Sequence, residues 1–109
     1  MFGNKLSKIE KAVKKGDEHE LIQLTNDKDT AVRQAAIAGL GKTNGDDGFN
    51  RLVLLLRHPD ALIRTAAAKA LGEAGNPHGK TYLKAQYKLE KDPQAQAAMA
   101  EAAAKIKEF

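Results

Sequence analysis

The chain has 109 residues, enough for one domain and too few for two of ordinary size. Hydrophobic residues make up 42%, but only two tyrosines and three phenylalanines are aromatic, so alanine and leucine must supply most of the packing. The absence of cysteine excludes disulfide frameworks and thiolate metal sites, and a net charge of +4 is too small to imply a nucleic-acid partner by itself.

Three prolines interrupt the chain and no window alternates with a period of two, so the expected class is all-α. Seven helices are predicted, at about 4–14, 17–26, 30–43, 47–57, 61–73, 77–90 and 93–107. The opening residues lack the apolar core of a secretory signal. The first helix carries Lys5, Lys8, Lys11, Lys14 and Lys15 against Glu10, and the segment 16–30 reverses the sign with Asp17, Glu18, Glu20, Asp27 and Asp29 against Lys28. The helix at 30–43 has Asp29 as its N-cap and an apolar stripe at Val32, Ala36 and Leu40, with Gly45 expected to close it in a left-handed turn. The helix at 47–57 contains Leu52-Val53-Leu54-Leu55-Leu56. This is the longest apolar run, far too short to cross a membrane, so no membrane is expected and a cytoplasmic location is.

The helix at 61–73 repeats the earlier plan, with Asp60 as cap, a stripe at Ile63, Ala67 and Leu71, and Gly75 closing it. Asn76-Pro77 then supplies a cap and a first-turn proline for 77–90. That helix places Lys80, Lys84 and Lys88 at i, i+4 and i+8, with Lys91 beyond and Tyr82 and Tyr87 nearby. Asp92-Pro93 opens the last helix, whose stripe is Ala95, Met99 and Ala103.

Laid over itself at an offset of 31, the chain brings Asp29 onto Asp60, Val32 onto Ile63, Arg33 onto Arg64, Leu40 onto Leu71 and Gly41 onto Gly72. A third, eroded copy starts at Asp92, where Gln96 replaces the arginine and Ala104 the glycine. The stretch Asp-x-x-Val/Ile-Arg-x-x-Ala-x-x-x-Leu-Gly at 29–41 and 60–72 resembles the HEAT-like repeats of the phycobilisome-lyase type. That resemblance implies one domain over 1–109, a right-handed α-α superhelix of three and a half helical hairpins divided near 4–28, 29–59, 60–91 and 92–109. It also implies that second helices line the concave face, and that Asp and Arg form a hydrogen-bond ladder between repeats.

Several short matches to chemistry do not develop into sites. Gly41-Lys42-Thr43 ends like a phosphate loop, but Ala36 stands at the required first glycine and the preceding segment is helical. His19-Glu20 begins H-E-x-x-H, with Gln23 in place of the second ligand. His58 and His78 read as solvated residues, because metal chemistry needs ligands converging on one point. Asn44-Gly45-Asp46-Asp47-Gly48 lacks the oxygen spacing of a calcium loop. Ser7 has no base at useful spacing. No catalytic residue, metal or cofactor is expected.

Two surfaces are candidates for partner binding. The first is Lys80, Tyr82, Lys84, Tyr87 and Lys88, either a contact stripe or an ordinary solvated face. The second is Val53 and Leu54, since five consecutive apolar residues wrap more than one helix face and are either buried on a wide arc or partly exposed in the groove. The alanine-rich helix 93–107 is either an adequate cap or a point of self-association. The expected function is a non-catalytic protein-binding module whose concave surface holds a peptide or partner. The alternatives are nucleic-acid binding through the lysine faces, or an accessory role beside a bilin lyase-like enzyme.

Overall fold

The structure, a computed structural model, describes residues 2–107. Met1, Glu108 and Phe109, part of the expected 1–109 span, lie outside the described residues. Seven helices follow one another: α1 (Phe2–Lys15), α2 (Glu18–Leu24), α3 (Thr30–Thr43), α4 (Asp46–Leu55), α5 (Ala61–Ala74), α6 (Pro77–Leu89) and α7 (Pro93–Lys105). Each expected helix is present with every boundary within two residues, and α2 and α4 each stop two residues early. Both end where one tightened turn closes the chain, with the Thr25 and Leu56 N–H groups sharing the last carbonyls.

The caps explain the boundaries. Side chains of Asp17, Asp29, Asp60, Asn76 and Asp92 each accept the N–H of a residue in the first turn of the helix that follows. Left-handed residues turn α1 into α2 at Gly16, α3 into α4 at Asn44 and α5 into α6 at Gly75. The expectation at Gly45 is corrected: Asn44 takes the left-handed position at φ 58°, which asparagine tolerates, and Gly45 is the extended N-cap of α4. Its missing side chain makes room for the carboxylate of Glu18, which accepts from the Thr43 hydroxyl and sits against Gly48 as well.

The hairpins α1–α2, α3–α4 and α5–α6 stack in order and α7 closes the array, forming an all-α HEAT-like solenoid. Val32, Ala36 and Leu40, Ile63, Ala67 and Leu71, and Ala95, Met99 and Ala103 are all buried, as their spacing predicts. Leu21, Leu52, Leu56, Leu83 and Ile106 complete a continuous core. Each fully buried leucine or isoleucine contributes roughly 1.5–3 kcal/mol, and the alanines between them let helix backbones approach.

The odd helices approach most closely. A Cβ placed on Gly41 would lie 2.8 Å from the Ala70 carbonyl oxygen, and one on Gly72 would lie 2.9 Å from Ala102 Cα. The stack therefore runs directly α1 on α3 on α5 on α7, whereas α2, α4 and α6 meet one another sparsely. A two-layer stack bends toward the layer with the closer spacing, so the odd helices form its inner face. This corrects the expectation that the second helices line the concave surface.

Candidate functional site

The inner face is built from positions that the repeat leaves free to vary. Between the buried stripe residues, Gln34, Thr65 and Ala97 occupy one equivalent position, Ala38, Lys69 and Glu101 another, and Lys42, Glu73 and Lys105 a third. Across α3, α5 and α7 the first set, with Lys69 and Glu101 of the second, borders an open groove of about 510 Å³. Its floor is Ala66, Ala97 and Ala98, and Leu62 stands 53% exposed within it. Gln34, Thr65, Gln94, Lys69 and Glu101 form the polar margin. Farther along, Lys105 reaches Glu73 at 3.4 Å, so both signs of charge are present on this face. The surface is small-floored, apolar at one point and polar at the rim, which suits a peptide segment better than a compact charged ligand.

The lysine and tyrosine surface expected on α6 divides on inspection. Tyr82 turns toward α4 and meets Phe49 edge-on, ring centroids 6.1 Å apart. Lys80 is half-buried and donates to the Ile106 carbonyl at 3.2 Å. Lys84, Tyr87 and Lys88 line a separate groove with Met99, Ala100 and Ala103 of α7. Val53 and Leu54 also part company. Val53 packs against the core and Leu54 is 59% exposed. The five-residue run is thus buried on a wide arc through Leu52, Leu55 and Leu56, and only Leu54 offers itself as a contact.

A row of polar contacts runs along the edge where each even helix returns to an odd one. The residue two places before each N-cap accepts the cap's own backbone N–H: Asp27 from Asp29 at 3.0 Å, His58 from Asp60 at 2.9 Å and Glu90 from Asp92 at 3.0 Å. At two of the three places a cation from the preceding odd helix joins it. Lys5 meets Asp27 at 2.7 Å, and Arg64 meets Glu90 at 2.7 Å and donates to the His58 and Pro59 carbonyls. The hydrogen bond from Lys5, followed by that from the Asp29 N–H, holds the Asp27 carboxyl below the usual carboxylate range. The Arg64 guanidinium does the same to Glu90 against the opposing effect of burial, and Glu90 in turn raises Arg64. The expected Asp–Arg ladder is therefore corrected. The cap aspartates serve their own helices, and the inter-repeat ties run to the acceptors just before them.

Two of the isolated histidines have structural roles on view. His19 pairs with Gln23 at 3.3 Å, and His58 Nδ1 accepts from Asp60. Among the described residues, no three His, Cys, Asp or Glu side chains gather as a metal site. No described helix is long and apolar enough to cross a membrane.

The family model for HEAT repeats matches residues 18–104. The chain belongs to the HEAT-repeat family. No curated protein matches it. For a HEAT-repeat protein the inner groove is the feature that sequence reasoning passed over. The signal was present in the repeat itself, because positions 34, 38 and 42 change character at 65, 69 and 73 while the intervening apolar positions keep theirs.

Proposed function

We propose that this HEAT-repeat protein is a non-catalytic interaction module that holds a peptide segment of a partner protein in the groove across α3, α5 and α7. The observation that carries the reading is Leu62, a large apolar side chain half exposed on an alanine floor inside a polar rim. That pattern is an apolar anchor point surrounded by groups able to bond a peptide backbone, the usual anatomy of a contact patch. Within the family, the tandem Asp-x-x-Val/Ile-Arg stretches support placing the repeats in the phycobilisome-lyase type, without assigning the chain a lyase activity.

A photo-crosslinking residue at position 62, and for comparison at position 54 on the outer layer, tests the proposal in source cells. Position 62 is expected to capture one partner reproducibly, with position 54 giving little, and Leu62→Asp in the untagged chain is expected to abolish co-purification. Equal, diffuse crosslinking from both positions would overturn it.

A further inference from the structure

Three junctions join successive odd helices, and two of them are closed by a carboxylate against a cation. Asp27 takes Lys5 where α1 meets α3, and Glu90 takes Arg64 where α5 meets α7. The middle junction, between α3 and α5, has the cation Arg33 and, at the acceptor position before the cap, His58. His58 Nδ1 accepts the Asp60 N–H at 2.9 Å, so in the neutral ring the proton is on Nε2. Arg33 has only donors, and the register that lays it over Arg64 puts both groups at one junction. The middle junction thus sets two donors together where its neighbours set a donor against an acceptor.

The Arg33 side chain carries the mark of that mismatch. Its Nε is buried and, among the described residues, bonds to nothing, whereas Arg64 Nε donates to Glu90 Oε1 at 2.7 Å. Arg33 Nη2 makes one long contact, 3.3 Å to the Thr30 hydroxyl, whereas Arg64 Nη2 reaches Glu90 Oε2 at 2.8 Å. The cap carboxylates Asp29 and Asp60 are engaged with the N–H groups of Ala31 and Leu62, each at 2.9 Å. Arg33 as a whole is only half-buried, so its charge is reached from solvent. A buried donor left without an acceptor is costly, and a charged acceptor satisfies a guanidinium best. We propose that the α3–α5 junction binds an external carboxylate, held by the Arg33 fork as Glu90 is held by Arg64, with the His58 Nε2–H as a further donor. A free small acid and a glutamyl side chain of a peptide present the same two oxygens. Neither Arg33 nor His58 borders the inner groove, so the two proposals stand or fall separately.

Proton–nitrogen correlation spectra of the full chain test the inference, because the Nε–H of each arginine gives its own signal. Chloride is replaced stepwise by acetate at fixed ionic strength. The Arg33 signal is expected to move saturably with acetate while the Arg64 signal stays in place. His58→Glu supplies a carboxylate from within the chain and is expected to weaken acetate binding by about tenfold or more. Thermal unfolding gives a second reading: acetate is expected to raise the Tm of the parent and to leave Arg33→Lys, which keeps the charge and loses the fork, unmoved. Glutamate blocked at both backbone ends separates the sources. Tighter binding than acetate assigns a peptide segment, and equal or weaker binding assigns a free acid. The inference is overturned if the Arg33 signal does not respond, if it responds alike in His58→Glu, or if inorganic phosphate binds more tightly than both carboxylates.

Discussion

Arg64 holds Glu90 through two bonds, Nε to Oε1 at 2.7 Å and Nη2 to Oε2 at 2.8 Å. The contact joins α5 to the loop before α7, and Glu90 simultaneously accepts the N–H of the cap residue Asp92. One carboxylate thus fixes both the stacking of two odd helices and the start of the second. One repeat earlier, Arg33 occupies the place of Arg64, and His58 takes the role of Glu90 toward its cap. Arg33 bonds the Thr30 hydroxyl at 3.3 Å, and its Nε is buried without a partner. The tie between successive repeats is thus complete where α5 meets α7 and incomplete where α3 meets α5.

The pH dependence follows from the direction of the Glu90 and Asp27 shifts. Both carboxyls are held lower in the folded chain than in the unfolded one, so their stabilisation is fully present above the unfolded value of about 4 and is lost as pH falls through the folded value. Arg64, already charged throughout, contributes no opposing slope in this range. Glu90→Gln is expected to cost about 2–3 kcal/mol at neutral pH, since it leaves a partly buried guanidinium without its counter-charge. Urea midpoints taken at neutral pH and down to about pH 3 are expected to fall steeply for the parent and more shallowly for Glu90→Gln. Parallel curves would show that the pair contributes no pH-dependent stability.

Completing the other junction is expected to stabilise the chain. His58→Glu keeps an acceptor for the Asp60 N–H and supplies the negative charge that Arg33 lacks. The gain is expected to be about 1.5–3 kcal/mol, the worth of a hydrogen bond to a charged group. Thermal unfolding would read this as a rise in Tm, and the gain is expected to disappear in an Arg33→Ala background. A rise that persists there would assign the effect to the cap alone.

Much of the fold was legible because local and repeated signals coincide. Asp29, Asp60 and Asp92 announce helix starts by side-chain chemistry that acts within one turn, and the i, i+4, i+8 stripes mark the buried face of each odd helix. What the chain did not disclose depends on relations across repeats. Asn44 and Gly45 are adjacent and either is able to close α3, so the choice rests on Glu18, far back in the chain and seated where a Gly45 side chain would be. Which layer forms the inner face is not legible locally, because curvature comes from relative spacing, which Gly41 against Ala70 and Gly72 against Ala102 determine jointly. The groove around Leu62 is legible only in its varying rim positions and not in its apolar anchor. An exposed leucine has no local signature distinguishing it from the buried Ile63 beside it.

The close approach of the odd helices makes Gly72 intolerant of even one methyl group. In isolation alanine is the better helix former by about 1 kcal/mol. Here its Cβ would stand 2.9 Å from both Cα and Cβ of Ala102, and neither atom is the end of a flexible side chain. Gly72→Ala is therefore expected to destabilise by about 1–3 kcal/mol, the range for overpacking, despite the gain in propensity. Chemical denaturation measures the sign directly. A stabilised variant would mean that α5 and α7 separate at little cost.

The run Leu52–Leu56 offers an internal contrast between composition and position. Leu54 and Leu56 are identical in type, lie on the same stretch of chain and differ in surroundings: Leu56 is fully buried and Leu54 is mostly exposed. Leu56→Ala removes a side chain from a packed core and leaves a cavity that fixed helices on both sides cannot fill, at an expected cost of about 2–5 kcal/mol. Leu54→Lys replaces a solvent-facing group with one compatible with helix, and its effect is expected to stay within about 0.5 kcal/mol. Denaturation midpoints for the two variants settle the arrangement of α4. A large loss at Leu54 would mean that this side chain is covered, either by a different rotation of the helix or by association with another chain. Added at rising protein concentration, the same measurement separates those cases, because only association makes the loss depend on concentration.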